Sequence, residues 1–379
     1  MAQLIKSILM KQLNNFVYLG TLILAFMFVT PNINAQLDLP RGSQNASVMQ
    51  KVGATKMYVN YSRPSVNGRE IWGKLVPYGM NNFGFGTAKE SPWRAGANEN
   101  TIIKFTDDVM VEGQSLAAGK YGLHMVLNAE GGATIIFSKN STAWGSFFYE
   151  PSEDVLRVDV QTKTIPHVEQ LTFAFNDVTA NSATVVLNWE KKQIPFKIEV
   201  NVNEVVLADI RRKLQDQPGF QRQTWEQAAG YVLNNGGDND EALGWINDAI
   251  AGKFFSQQNF NNTNIKAGLL NKMGKQGEAL AALDAYMPQA TMLEVHQYGR
   301  QLIGFGLKDK ALEVFKMNAD KNKDTWPVHY GLARGYSAKG DYIKALSHLK
   351  KALENAPNPA SKGRVQTNIE KLEKGQDIN

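Results

Sequence analysis

The pattern of apolar and polar positions changes character near residue 203. Before it, short runs rich in β-branched and aromatic residues alternate between apolar and polar positions, as half-buried strands do. Leu156 and Val158, for example, share one face of an extended segment, and Arg157 lies on the other. The predicted strands cover residues 55–61, 101–105, 121–127, 133–138, 155–160, 170–175, 183–189 and 194–200. Their close spacing predicts an antiparallel all-β sandwich or barrel over residues 36–203.

After residue 203 the apolar positions follow the period of a helix. Val205, Leu207, Ile210 and Leu214 approximate one helical face. We therefore expect residues 204–221 to hold a connecting helix that docks against its neighbours.

An alanine-centred motif then recurs at intervals of about 34 residues, with its alanines at Ala242, Ala279, Ala311 and Ala345. Small residues let the two helices of a hairpin approach closely, and Gly340 permits the turn between them. The spacing resembles the tetratricopeptide repeat over residues 222–360. This resemblance implies a curved all-α array of helical hairpins whose concave side holds a protein or peptide partner. The polar residues 361–379 are expected to fray.

The β half contains unusual sequence words in a fixed order. They are Tyr61-Ser62-Arg63-Pro64, Asn67-Gly68-Arg69, Leu75-Val76-Pro77-Tyr78-Gly79, Trp93-Arg94-Ala95-Gly96-Ala97-Asn98-Glu99, Ala118-Gly119-Lys120-Tyr121 and Asp154-Val155-Leu156-Arg157. In these words the chain resembles the bacterial family catalogued as domain of unknown function 2911, whose members carry an export signal and often a helical-repeat tail. Residues 80–92 depart from the family pattern through a glycine-bearing insertion. Because the family has no assigned activity, the resemblance implies architecture alone.

The first 35 residues have the features of a secretory signal peptide. Lys6 and Lys11 precede an apolar run over residues 16–30, and Ala35 marks a plausible cleavage point. The run is shorter than the roughly 20 residues of a membrane-spanning helix. The sequence therefore predicts a periplasmic or extracellular protein that has no membrane span after cleavage.

Composition and charge exclude several classes of protein. The chain has 379 residues and no cysteine, which excludes disulfides, thiol nucleophiles and cysteine-bound zinc or iron–sulfur sites. The formal net charge is +5, and the only tight basic cluster is the triplet at residues 211–213. Nucleic-acid binding needs a broader basic face than this, so no nucleic-acid partner is expected.

Candidate chemistry concentrates in the long connection between residues 62 and 100, which has no strand pattern. Long ordered connections in compact domains are often functional. Arginine forks suit carboxylate or phosphate and tryptophan faces suit sugar rings, so a small anionic or carbohydrate ligand is predicted. The candidate ligand-binding residues are Arg63, Arg69, Trp93, Arg94, Asn98 and Glu99. The alternative is structural: Arg94 pairs with Glu99 or with buried carbonyl groups, and the tryptophans belong to the core.

Two residues are candidates for catalysis. Glu99 lies in the same connection, and His124 lies on the polar face of a predicted strand, where it could face a pocket as a general base. The other histidine of this half, His167, is not at metal-ligand spacing from it, so no metal site and no cofactor are predicted.

Three functional hypotheses follow from these features. The leading hypothesis is an exported, non-enzymatic binding or assembly protein, in which residues 222–360 hold a partner and the β domain recognises a ligand or a second surface. The second is a small-molecule hydrolase that acts on an envelope glycan or phosphoester at the 62–100 connection. The third is a purely structural envelope protein.

Overall fold

The computed structural model describes residues 39–322 and 324–379. The predicted signal peptide, residues 1–35, lies outside the described residues, so export stays a prediction. Among the described helices, none combines the length and the apolar character that crossing a bilayer requires.

The first half of the described chain forms two antiparallel sheets. The strands are β1 (Gln44–Val52), β2 (Thr55–Arg63), β3 (Thr101–Phe105), β4 (Val109–Val111), β5 (Gln114–Leu116), β6 (Gly119–Leu127), β7 (Gly132–Ser138), β8 (Asp154–Gln161), β9 (Lys163–Asn176) and β10 (Ser182–Glu199). The six-stranded sheet has the order β1-β2-β3-β6-β7-β8, and the four-stranded sheet has the order β5-β4-β10-β9. The predicted all-β fold is confirmed, and because the sheets do not close on each other it is a sandwich rather than a barrel.

One apolar core lies between the two sheets. In β2 the alternating residues Met57, Val59 and Tyr61 are buried, as the period of two in the sequence predicts. Across the core, Phe137 of one sheet packs edge-on against Phe196 of the other, with ring centroids 6.0 Å apart.

Several strands differ from the prediction. Residues 183–189 and 194–199, predicted in separate strands, belong to the single strand β10, because an irregularity of pairing around Glu190 does not end the strand. The three-residue strands β4 and β5 were not predicted. Strand β1 was missed because most of its side chains are polar and exposed, as is usual for a strand at the edge of a sheet.

The second half of the chain is an array of helical hairpins. Its helices are α1 (Val202–Leu214), α2 (Arg222–Asn235), α3 (Asn239–Ile250), α4 (Phe260–Lys272), α5 (Gln276–Tyr286), α6 (Met292–Gly304), α7 (Lys308–Lys321), α8 (Trp326–Ala338), α9 (Tyr342–Glu354) and α10 (Pro359–Glu373). Helices α2 to α9 pair as successive hairpins, and the marker alanines are buried within them. Gly340, with φ of +79°, makes the turn from α8 to α9. The predicted helical-hairpin array is confirmed.

Helix α1 contacts both halves of the molecule. Val202 and Val205, in its first turn, pack against the core of the sandwich. Leu207 and Leu214 are buried among residues of the first hairpin. The helix therefore belongs to two apolar cores at once, which makes it a docked connection.

The residues predicted to fray are ordered instead. Helix α10 buries Val365, Ile369 and Leu372 against the last hairpin, and Ile378 beyond it is also buried. The prediction failed because these few apolar residues are spaced among many polar ones, and only packing reveals that they share one face.

Candidate functional site

The long connection between β2 and β3 folds onto one end of the sandwich. Trp93 exchanges two backbone hydrogen bonds with Met125 of β6, at 2.8 and 2.9 Å. Gly79 donates to the carbonyl oxygen of Leu127, and Val66 donates to that of Glu169 in β9. These bonds fix a segment without regular strands against both sheets, so its side chains are held in place.

A cavity of about 320 Å³ lies between this connection and the sandwich. Its lining contains two arginines, two tryptophans and several small polar groups. The lining residues are Ser43, Pro64, Arg69, Leu75, Val76, Pro77, Gly79, Asn81, Phe83, Ser91, Pro92, Trp93, Arg94, Gly96, Ala97, Asn98 and Trp189. This volume and this mixture of apolar walls with a few polar groups are typical of a small-molecule site.

An aromatic wall bounds the cavity. Trp93 and Trp189 lie nearly parallel, with an interplanar angle of 15° and centroids 6.0 Å apart. Trp72 meets both of them edge-on. The indole nitrogens of Trp72 and Trp189 are buried and have no hydrogen-bond partner in the part of the chain that the structure describes.

Arg94 is the arginine of the cavity lining that makes fewer hydrogen bonds with its own connection. Its guanidinium donates one hydrogen bond, of 2.6 Å, to the carbonyl oxygen of Asn98 and lies 5.0 Å from the ring centroid of Phe147. Within residues 39–322 and 324–379 no carboxylate forms an ion pair with it, and burial lowers its pKa from the ordinary value. A positive charge of this kind, partly removed from water and uncompensated, favours an anion in the cavity.

The backbone around Arg94 is adapted to its position. Ala95 and Asn98 have φ angles of +51° and +60°, in the left-handed region that non-glycine residues seldom occupy. Gly145, with φ of +68°, faces the guanidinium so closely that a Cβ there would overlap it. Backbone strain of this kind concentrates at functional sites.

The other predicted arginines mainly support the connection. Arg63 donates to the carbonyl oxygen of Leu171 at 3.0 Å and does not line the cavity. Arg69 lines the cavity, but its guanidinium donates to the carbonyl oxygens of Val66 and Ser65. Of the predicted ligand-binding residues, Arg69, Trp93, Arg94 and Asn98 therefore meet at the cavity.

Glu99 does not meet Arg94, in contrast to the structural alternative considered for the sequence. It forms an ion pair with Arg41, whose hydrogen bond lowers the pKa of Glu99. Both residues line a separate surface depression. Arg94 instead donates a hydrogen bond to the backbone carbonyl oxygen of Asn98. The structural alternative had named a carbonyl group as the other possible partner of Arg94.

His124 is enclosed rather than facing a pocket. It lies on the outer face of β6, where the segment after β7 covers it and leaves it 3% exposed. Its Nδ1 is 3.0 Å from the hydroxyl of Ser146, and its ring meets Tyr149 edge-on. Burial, together with the charge of Arg94, lowers the pKa of His124 to about 4. The ring is therefore neutral at physiological pH, and His124 is not among the residues that line the cavity.

Sequence reasoning missed Trp189, Phe83, Ser43 and the ring of Phe147. Trp189 lies in a strand far along the chain from Arg94, and Phe83 lies in the insertion at residues 80–92. No local pattern in the sequence therefore indicates that either residue lies beside Arg94. Among the described residues, no three histidine, aspartate or glutamate side chains converge as a metal site would require.

A model of a known family matches the β half. Residues 43–198 match the family model described as "Protein of unknown function (DUF2911)". The resemblance drawn from the sequence words is thereby confirmed, and the cavity with its four predicted residues lies within the DUF2911 match. No curated protein sequence matches the chain.

The helical half is similar to solved tetratricopeptide (TPR) proteins. YrrB, described as a TPR protein with an unusual peptide-binding site, is 20% identical, with 44% of this chain and 84% of YrrB covered and a TM-score of 0.30. A thermophilic TPR protein of Thermus thermophilus is 20% identical, with 44% and 90% covered and a TM-score of 0.31. Part of a TPR protein of Cytophaga hutchinsonii is 17% identical, with 45% and 67% covered and a TM-score of 0.35.

Proposed function

We propose that this chain is an exported binding and assembly protein, in which the DUF2911 domain binds a small anionic ligand and the helical array holds a protein partner. The observation that carries the proposal is Arg94, which lines a cavity beside Trp93 and Trp189 and has no carboxylate partner among the described residues. A guanidinium beside stacked indole rings suits a ligand that joins a carboxylate or phosphate to a flat or cyclic body.

Binding fits this site better than hydrolysis does. The two candidate catalytic groups, Glu99 and His124, are not among the residues that line the cavity. Glu99 is held as a carboxylate by Arg41, and His124 is enclosed beneath Ser146 and Tyr149. A general acid or base must be within hydrogen-bond reach of the reacting group. Neither Glu99 nor His124 lines the cavity in which that group would lie.

The array supports the assembly part of the proposal. Stacked hairpins leave a continuous helical surface that is not needed for folding, and solenoids commonly use such a surface to bind extended segments. A protein from the envelope fraction is the partner that an exported location would supply.

The ligand is tested by titration with glucuronate, which joins a carboxylate to a sugar ring, and with uncharged glucose as the control. Because Trp93 and Trp189 line the cavity, binding should change tryptophan fluorescence for glucuronate and not for glucose. Arg94→Gln should weaken glucuronate binding at least tenfold, whereas Lys51→Gln, which removes an exposed positive charge of β1 outside the cavity, should leave it unchanged. If Arg94→Gln binds glucuronate as well as the wild type does, this assignment of the site is wrong.

The same variants separate binding from a purely structural role. If no anion binds and Arg94→Ala lowers the free energy of unfolding by about 1–3 kcal/mol, because the carbonyl oxygen of Asn98 loses its charged donor, Arg94 is a determinant of the fold. A stable Arg94→Ala variant that has lost binding supports the proposal.

A further inference from the structure

A groove of about 570 Å³ lies between the first helices of two successive hairpins, α6 and α8. The lining residues are Leu293, His296, Gln297, Arg300, Gln301, Ile303, Gly304, Arg334 and Asn379. They include two arginines and no acidic residue. Neither Arg300 nor Arg334 forms an ion pair with any residue that the structure describes. The groove therefore presents uncompensated positive charge.

The segment that follows α10 lies on α8 at one end of this groove. Ile378 is 4% exposed and packs in the apolar cluster that contains Tyr330 and Val365. The hydroxyl of Ser337 donates a hydrogen bond of 2.6 Å to the carboxylate of Asp377. The same hydroxyl accepts a hydrogen bond of 3.2 Å from the backbone amide of Ile378. An acidic residue and the aliphatic residue after it are thus recognised together by one helix.

Asn379 extends this contact into the groove. Its side-chain amide donates to the carbonyl oxygen of Arg334 at 3.1 Å and accepts a hydrogen bond from the guanidinium of Arg334 at 3.2 Å. The side chain of Asn379 is neutral, so it does not compensate the charge. Arg300 is exposed, and its guanidinium forms no hydrogen bond or ion pair among the described residues. The segment therefore contacts only one of the two arginines of the groove.

We propose that this groove, together with the adjoining surface of α8 at Ser337 and Tyr330, binds a protein segment in which an acidic residue precedes an aliphatic one, and that Asp377–Asn379 occupies part of this site until such a segment displaces it. The inference rests on the proposed function, because it assumes that the array holds a protein partner. The chain's own segment shows which side chains fit: a carboxylate at Ser337, an aliphatic group beside Tyr330 and an amide at Arg334.

Displacement needs an additional contact, because a tethered segment competes at an effective concentration on the order of millimolar. Arg300 offers that contact. A partner with a second acidic residue that reaches Arg300 would gain a charge-assisted hydrogen bond that the chain's own segment does not make. Selectivity for acidic partners follows from the absence of acidic residues in the lining.

The test uses a fluorescent peptide with the sequence of residues 374–379, amidated so that it offers no extra carboxylate. A variant that stops after Gln376 should bind this peptide, and the intact chain should bind it at least tenfold more weakly. Adding Ser337→Ala to the shortened chain should reduce binding at least tenfold, whereas adding Lys362→Gln, on α10 and outside the groove, should not. Equal binding by the intact and shortened chains would overturn the inference, as would no binding by a shortened chain whose helical circular dichroism is unchanged.

Hydrogen exchange in the intact chain covers the case in which the shortened chain does not fold. The amide of Ile378 should exchange at least tenfold more slowly than an unstructured amide, and Ser337→Ala should remove that protection. Exchange of this amide at the unstructured rate in the intact chain would overturn the inference.

Capture of an envelope protein separates this inference from the function on which it rests. If the intact and shortened chains capture the same protein equally well, the proposed function stands and the inference fails. If the peptide binds but neither chain captures an envelope protein, the groove is confirmed and the assembly function fails.

Discussion

The sandwich and the helical array build their candidate binding surfaces in different ways. The cavity of the sandwich brings together Ser43, the connection between β2 and β3, and Trp189 of β10, which are far apart in the chain. The groove of the array lies between neighbouring hairpins, apart from Asn379. A surface made from distant segments depends on the whole domain, whereas a surface made from adjacent repeats depends on its neighbours.

This difference predicts how far the destabilising effect of a mutation extends through the protein. The two sheets share a single apolar core, whereas the buried residues of the helical half fall into three separate clusters. A change in the sandwich core should therefore weaken the entire domain, and a change in one hairpin should remain local.

The largest effect is expected from Trp189→Ala. Trp189 is 1% exposed and contacts both Trp72 and Trp93, so its removal leaves a cavity in the shared core. We expect the free energy of unfolding of the sandwich to fall by about 3–5 kcal/mol, measured by denaturant titration. Trp144→Ala is the control, because Trp144 is 52% exposed. Equal losses in the two variants would contradict the shared-core interpretation.

Acid should destabilise the sandwich through His124. Its pKa is about 4 in the folded chain against an ordinary value of 6.5, so the unfolded chain binds the proton more strongly. Stability is therefore fully present above pH 6.5 and is lost as the pH falls toward 4, by about 3 kcal/mol at the lower limit. His124→Gln should flatten this pH dependence for the sandwich transition and leave that of the array unchanged. A pH profile identical to that of the wild type would show that His124 is not the titrating group.

In the array, Gly299→Ala should cost about 1–3 kcal/mol through overpacking. Gly299 lies in α6 against the ring of Phe315, and a Cβ there would overlap that ring. The matched control is Gly244→Ala in α3, where a Cβ would meet open space and should stabilise the helix by up to about 1 kcal/mol. Thermal unfolding of both variants should leave the sandwich transition unchanged. A shifted sandwich transition in Gly299→Ala would contradict the local behaviour expected of repeats.

The smallest change in stability, with a specific loss of binding, is expected from Gly145→Ala. Gly145 and Gly84 have similar φ angles, +68° and +66°, so alanine at either position should cost about 1 kcal/mol in backbone strain. Only at residue 145 would the added Cβ also displace the Arg94 guanidinium. Glucuronate affinity should fall at least tenfold in Gly145→Ala and stay unchanged in Gly84→Ala. Equal affinity in the two variants would remove Arg94 from the proposed site.

Local patterns account for the part of the fold that was predicted correctly. The period of two placed β2, β3, β6, β7 and β8 in sheets, and the alanine spacing placed the hairpins, because both signals concern neighbours along one element. The bulge at Glu190 and the edge strand β1 escaped prediction because pairing across strands, rather than propensity, maintains them.

The candidate site was predictable only in part. The word from Trp93 to Glu99 correctly marked Trp93, Arg94 and Asn98 as residues at one place. It could not show that Glu99 turns away to Arg41, since adjacent residues in an extended or turning chain point in different directions.

By itself, the sequence determined two halves of different periodicity, the recurring hairpin and the segment that carries the cavity residues. Only the tertiary structure decided that Arg94 faces a cavity with no carboxylate beside it among the described residues, that His124 is enclosed, and that Asp377–Asn379 lies on α8. The reason is physical: periodicity is a property of consecutive residues, whereas burial, charge compensation and pKa depend on which distant residues the fold brings together.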